Sequence, residues 1–208
     1  MHDTQTVIAD RTVEVQAAAA EHSLLGTSIR FTLITTLLLG IAYPLIVTGI
    51  ASVLFPHQAA GSLIEQNGQV IGSQLLAQGF ASDKYFHPRP SAAGSGYDAT
   101  SSGGSNLAQS SAKLVQRVQG DIDKLAKENP NTPVPIDLVT TSGSGLDPDI
   151  TPDAAYFQAL RIAHARGLTE PQVRQLIAQH VSARQFGVLG EPRVNVLELN
   201  LDLDKLSR

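Results

Sequence analysis

The 208-residue sequence predicts an α+β protein: one N-terminal transmembrane helix, then a single compact domain with a small β-sheet and about three helices. Three observations predict it. From Phe31 to Phe55, 25 residues pass without an Asp, Glu, Lys, Arg or His. An Asn67-Gly68 pair lies between two short apolar arms. Beyond it, three segments carry capping residues and helical punctuation, and the chain closes on alternating Val and Leu.

As a helix, the uncharged run covers roughly 38 Å at about 1.5 Å per residue, more than the ~30 Å hydrocarbon core of a bilayer. A cleavable signal peptide has an apolar region of roughly 7–15 residues ending at a small-x-small site. Gly49-Ile50-Ala51 fits such a site, but the apolar run continues past it, so an uncleaved anchor is the better reading. Pro44 removes one backbone donor and is expected to bend the helix near its middle. Gly40, Pro44, Thr48 and Gly49 form a candidate small-residue face for packing on another membrane helix. Arg11 and Arg30 precede the span, and the first Lys or Arg after it is Lys84. The positive-inside rule therefore predicts a cytoplasmic tail over 1–28, a span over 29–55 and an extracytoplasmic α+β domain over 56–208. Ala17 to Ala20 in the tail suit a short helix or a disordered stretch.

Pro56 stops the membrane helix. Ser62 to Leu76 reads as a β-hairpin, because Leu63-Ile64 and Val70-Ile71 flank the Asn-Gly turn. Tyr85-Phe86 follow, and then a segment from Pro88 to Asn106 dense in Pro, Gly and Ser; a loop of that length is functional or disordered. Leu114, Val118, Ile122 and Leu125 place a helix over Ser110 to Glu128, stopped by Asn129-Pro130. Pro135 to Thr140 reads as a short strand leading into the turn Ser142 to Gly145. A second helix starts with Thr151 as cap and Pro152 at its first position and ends at Gly167. The third starts at Thr169, with Gln172 completing a capping box, and ends near Ser182. Val194, Val196, Leu199, Leu201 and Leu203 suggest a final strand.

Composition narrows the function. The formal net charge is −4 and no basic cluster stands out, which disfavours nucleic-acid binding. Zero cysteines fits either side of a membrane. Ser110-Ser111-Ala112-Lys113 matches an S-x-x-K nucleophile pattern, but K-T-G and S-D-N companions are absent, and an ordinary capped helix start explains it better. Asp147, Asp149 and Asp153 resemble a cation loop, yet an EF-hand count from Asp147 puts Pro152 and Gln158 where Gly and Glu are required. Acids ahead of a helix and in its first turn answer the macrodipole instead. The six histidines, His57, His87, His164 and His180 among them, show no metal spacing. No catalytic or metal residue is therefore assigned. Ser101 to Asn106 is Gly-rich and precedes a helix, as phosphate-cradling turns do, but it lacks a P-loop Lys. A docking loop is the better reading.

Several strings, taken in order, resemble the C subunit of the Kdp potassium-transporting ATPase. They are Tyr43-Pro44-Leu45 with Thr48-Gly49, Phe55-Pro56, Gly61-Ser62-Leu63-Ile64, Tyr85-Phe86 with Arg89-Pro90-Ser91-Ala92, and Ser102-Gly103-Gly104-Ser105-Asn106-Leu107. Ser142-Gly143-Ser144-Gly145-Leu146-Asp147-Pro148 and Gly190-Glu191-Pro192-Arg193-Val194-Asn195 complete the series. Ser52, Ala60, Ala108-Gln109 and Asp149 depart from the pattern, standing for Gln, Asn, Gly-Pro and His. The resemblance implies an accessory subunit of an ATP-driven, high-affinity potassium uptake complex in the bacterial inner membrane. Its partners would be a potassium-selective channel-like subunit, a P-type ATPase subunit and a small peptide subunit. Such subunits are described as catalytic chaperones that raise ATP affinity, and the Ser102, Gly103, Gly104, Ser105, Asn106 loop matches a proposed nucleotide signature. ATP conflicts with the predicted topology, which puts the domain outside. The expected roles are therefore membrane-helix packing by Tyr43, Pro44, Thr48 and Gly49, and subunit docking by the loop. The alternative is an anchored exported hydrolase using Ser110 and Lys113.

Overall fold

The computed structural model describes residues 24–206, and the protein divides into two units, one through Ala60 and one from Gly61 onward. The expectations for Arg11 and for Ala17 to Ala20 lie outside the described residues. In the first unit, helix α1 (Leu24–Leu54) is the one helix among the described residues long and apolar enough to cross a membrane. Among the described residues, none of its side chains is buried. Its Leu and Ile side chains are left for lipid or for other helices to cover. A single helical turn, Pro56–Ala59, follows Phe55.

The expected disturbance at Pro44 takes a specific form. Residues Thr36–Ala42 form a π-helical segment immediately before it, and Tyr43 N–H donates to the Leu38 carbonyl, five residues back. In an α-helix, the proline ring would run into the carbonyl of the fourth residue before it. A wider turn at that point gives the ring room while the helix continues to Leu54.

The second unit begins with the expected hairpin, β1 (Leu63–Gln66) antiparallel to β2 (Gln69–Ser73). Asn67 and Gly68 both have positive φ, 53° and 77°, as a two-residue type I′ turn requires. The register slips after Ile64↔Gly72, so that Glu65 opposes Val70 and Ile71 is the extra residue of a bulge. Ser73 closes the hairpin through its hydroxyl, which donates to the Gly61 carbonyl at 2.7 Å.

Helix α2 (Ala112–Glu128) begins two residues later than expected. Its stripe of Leu114, Val118, Ile122 and Leu125 is only half-buried, and of these only Leu125 packs against the main core. Pro135 to Thr140 is not a strand: Ile136–Leu138 is a single 3-10 turn. The Asp137 carboxylate is turned inward to accept the Thr151 N–H at 2.7 Å, and Thr140 Oγ1 donates back to the Ile136 carbonyl. Those local bonds replace a ladder.

Helix α3 (Pro152–Arg166) is capped by Thr151, whose side chain accepts from the Ala154 N–H, and ends at Gly167 as expected. Ala154, Ala155, Ala159 and Ala163 are buried along it, so neighbouring elements approach closely. Helix α4 (Glu170–His180) carries the Thr169–Gln172 capping box and ends before a two-residue strand, β4 (Val181–Ser182). The second sheet is β3 (Asp149–Ile150), β5 (Arg193–Asn195) and β4, antiparallel, with β5 in the centre.

The final strand is shorter than the alternation suggests. It stops at Asn195, and Val196–Leu206 forms a fourth helix of the domain, α5. Val196, Leu197, Leu199, Asn200 and Leu203 are buried, four of them (Val196, Leu199, Asn200 and Leu203) spaced i, i+3, i+4, i+7, while Leu201 is only half-buried. Asn195 starts the helix by accepting the Glu198 N–H on its side-chain oxygen at 3.1 Å. The core joins α3, α4 and α5 to the central strand through Phe157, Ile162, Val173, Ile177, Val194 and Leu199.

Candidate functional site

The segment Tyr85-Phe86-His87 crosses the core without belonging to any sheet. Two buried side-chain amides supply the pairing that a strand would have given. Asn200 on α5 accepts the Phe86 N–H at 2.8 Å and donates to the Phe86 carbonyl at 3.0 Å. Gln158 on α3 does the same for His87, accepting at 2.8 Å and donating at 3.1 Å. Phe86 is then fully buried. Arg161 reinforces the clamp, donating to the Asp83 and Tyr85 carbonyls and to Gln158 Oε1. Its Nε lies 3.0 Å from Glu128 Oε2 at the end of α2, an ion pair with poor hydrogen-bond alignment. Burial and the positive charge of Arg161 hold the His87 imidazole below its ordinary pKa.

This clamp launches the loop that carries the predicted site, and the loop is ordered by hydrogen bonds. Ser91 is its hub: the hydroxyl donates to the Gly145 carbonyl at 2.6 Å and accepts from the N–H groups of Ala93 and Tyr97. The Tyr97 hydroxyl donates to the Arg89 carbonyl at 2.9 Å, and burial raises its pKa. Arg89 reaches Asp147 at 3.2 Å and the Thr140 carbonyl and hydroxyl at 3.3 Å.

Ser102 to Asn106 lies along Ser142 to Gly145. Gly103 N–H donates to the Ser144 carbonyl at 2.8 Å, and the Ser102 hydroxyl donates to the same oxygen at 3.0 Å. Gly104 sits against the Ser142–Gly143 backbone, where a Cβ would lie 3.2 Å from the Gly143 oxygen. Gly145 has φ +67°, and a Cβ there would meet Gly103 O at 2.5 Å and Ala93 N at 2.8 Å. Two Gly-Ser loops are therefore zipped backbone to backbone. Ser102 and Asn106 are exposed and Ser105 half-exposed, giving a neutral surface of hydroxyl and amide groups.

Tyr43, Pro44, Thr48 and Gly49 are all exposed on α1. Gly40, Pro44 and Thr48 follow at four-residue steps, and Ser52 continues them, its hydroxyl donating to the Thr48 carbonyl at 2.8 Å. A Cβ at Gly49 would meet nothing within 4 Å. Ser110 and Lys113 are both exposed, with Ser111 in the cap position between them. Asp147 pairs with Arg89 and Asp149 with Arg193, at 2.9 Å for the latter, so these acids are spent on structure. Burial nevertheless raises the Asp149 pKa. Among the described residues no cluster of His and carboxylates could hold a metal.

Sequence reasoning missed the clamp. Asn200 and Gln158 stand at positions where helical periodicity calls for apolar residues, and that displaced polarity is the signal that could have found them.

A family model described as KdpC, the c chain of K+-transporting ATPase, matches residues 25–205. A potassium-transporting ATPase KdpC subunit of Acidobacterium capsulatum is 59% identical over 183 residues, covering 88% of this chain and 98% of the relative. The one from Koribacter versatilis is 55% identical over 86% of this chain and 92% of its own length. That of Rhodopseudomonas palustris strain BisB18 is 58% identical over 81% and 91%.

Proposed function

Since this chain belongs to the KdpC family of K+-transporting ATPase c chains, we propose that it works as an accessory subunit that stabilises the assembled potassium uptake complex. Its partners are the potassium-selective channel-like subunit, the P-type ATPase subunit and the small peptide subunit. Helix α1 packs on a neighbouring membrane helix through Pro44, Thr48 and Gly49, with Tyr43 beside them. The domain sits outside the bacterial inner membrane, the side that Arg30 favours. Loop 102–106 docks against a partner subunit. Any effect on ATP affinity passes through the membrane helices as coupling between sites.

The observation that carries the docking role over direct nucleotide binding is the state of Gly103. Its N–H is spent on the Ser144 carbonyl, whereas a phosphate cradle keeps successive N–H groups pointing at the anion. The loop also brings no Lys or Arg of its own from Ser101 to Leu107.

The test is topological. The chain has no cysteine, so Asn131→Cys, in the exposed turn after α2 and away from loop 102–106, gives it a single thiol. Labelling by a membrane-impermeant maleimide in intact cells is expected; protection until lysis would restore direct action on cytoplasmic ATP. In parallel, this chain should come out of mild detergent with the other subunits, and its recovery alone would refute the accessory role.

A further inference from the structure

The loop between β4 and β5 presents apolar side chains that none of the described residues covers. Phe186 is 84% exposed, Val188 72% and Leu189 56%. Large apolar groups clustered at a loop tip mark an interaction site more often than isolated ones do. This tip is also rigid. Gln185 and Leu189 exchange two backbone hydrogen bonds of 2.9 Å, Gly187 N–H donates to the Arg184 carbonyl, and Val188 N–H to that of Gln185. An ion pair, Arg184 to Glu191 at 2.5 Å, closes its base. Both legs run straight into the central sheet through Ser182 and Arg193. Phe186 is held at φ 55°, a conformation that bulky side chains rarely adopt. Backbone strain that serves to display an exposed phenyl ring points to a use for that ring.

The flanking charges decide between occupants. A knob that enters an anionic bilayer surface gains from free cations beside it. Here Arg184 is neutralised by Glu191 and Arg193 by Asp149. The rim is polar and internally paired around an aromatic anchor, the composition of a protein interface. We propose that the Phe186–Leu189 tip is a preformed docking knob that inserts into an apolar socket on another protein subunit of the transport complex. This rests on the accessory-subunit reading above and assigns it an anchor separate from loop 102–106. Because the knob is already ordered, docking costs little conformational entropy.

The test replaces Phe186 with photoreactive p-benzoylphenylalanine in the full chain, expressed with the whole complex. Irradiation should give an adduct whose mass is this chain plus another subunit. Adducts with lipid alone, or none, would overturn the knob. In a second arm, Phe186→Ser combined with Val188→Ser should lower the amount of complex recovered after mild detergent by about tenfold, the loss of a central aromatic anchor. The unfolding midpoint of the variant chain itself should stay unchanged. Wild-type recovery of complex by that variant would also overturn the proposal, and should the variant unfold early, the crosslink decides. If the wild-type chain carries no other subunit through extraction, the accessory-subunit reading fails first and the knob with it.

Discussion

Gly145→Ala tests the zipped pair of Gly-Ser loops. Two costs add. Alanine in the left-handed region costs about 1–2 kcal/mol, and the native φ is +67°. The new methyl would also meet the backbone at Gly103 O and Ala93 N, at 2.5 and 2.8 Å, and neither is the movable end of a side chain. Relief requires the loops to part. That sacrifices the Gly103–Ser144 bond and strains the Ser91–Gly145 bond, each worth about 0.5–1.5 kcal/mol net. The total is roughly 2–5 kcal/mol, and at about 2–4 °C per kcal/mol it lowers the melting temperature by roughly 4–20 °C. The assay is thermal unfolding of the full chain in detergent, followed by circular dichroism. Two neighbours calibrate it. Gly104→Ala meets backbone at 3.2 and 3.3 Å and should fall in between, while Gly143→Ala meets nothing within 4 Å and should be silent. A Gly145→Ala melting temperature within about 1 °C of wild type, or a different ranking of the three, would refute the zipped-loop argument.

Other perturbations address the clamp. Asn200→Ala strips the partners from Phe86 N–H and C=O, so at about 1–3 kcal/mol for each unsatisfied group it should cost roughly 2–6 kcal/mol in denaturant unfolding. Arg161→Met leaves the partly exposed Glu128 without its ion-pair partner and removes the bonds to the Asp83 and Tyr85 carbonyls, so it should destabilise by about 1–3 kcal/mol; hydrogen exchange should show α2 loosening before α3. The His87 pKa is depressed below 6.5, so the native state takes up its proton less readily than the unfolded chain. The resulting stability is complete above pH 6.5 and is lost as pH falls through the depressed value; His87→Asn should flatten that part of a stability–pH profile. Burial raises the Asp149 pKa, which gives the opposite sign. Its contribution is complete at low pH and lost as pH rises through the raised value, so Asp149→Asn should remove that decline in the same measurement.

Much of the fold was legible because local chemistry decided it. Asn67-Gly68 encodes a type I′ turn by itself, and Thr151-Pro152 and Thr169 with Gln172 encode helix starts through side chains that reach their own backbone. The uncharged run of α1 needs no tertiary context at all. The errors share a different cause. In Val194 to Leu203, alternating Leu and Val imitated a strand, while the residue that completes the helical face, Asn200, is polar and was not counted as core. It is buried to hold Phe86, a partner 114 positions away. Pro135 to Thr140 failed for a similar reason: Asp137 is bound to the Thr151 N–H, a contact that nothing local announces. The candidate loop was found from its Gly and Ser content, but its pairing with Ser142–Gly145 is a long-range fact. The tip at Phe186 to Leu189 drew no notice either, because a short apolar run reads as core until burial is known.

Rigidity limits how a subunit of this kind can act. The segment from Tyr85 to Asn106 carries little regular secondary structure, yet Asn200, Gln158, Arg161 and Ser91 fix its backbone at many points. Such a preformed surface can fit one conformation of a partner better than another. On the proposed topology, an influence on ATP affinity must come from that difference, because a subunit that binds two states equally shifts nothing between them. The demand is modest: a tenfold change in ATP affinity needs about 1.4 kcal/mol of differential binding, about what one or two hydrogen bonds contribute. On that proposal reciprocity fixes a consequence: nucleotide bound to the proposed ATPase partner would change this subunit's hold on the complex by the same factor. A nucleotide that leaves its dissociation rate and its equilibrium retention unaltered would confine the domain to assembly.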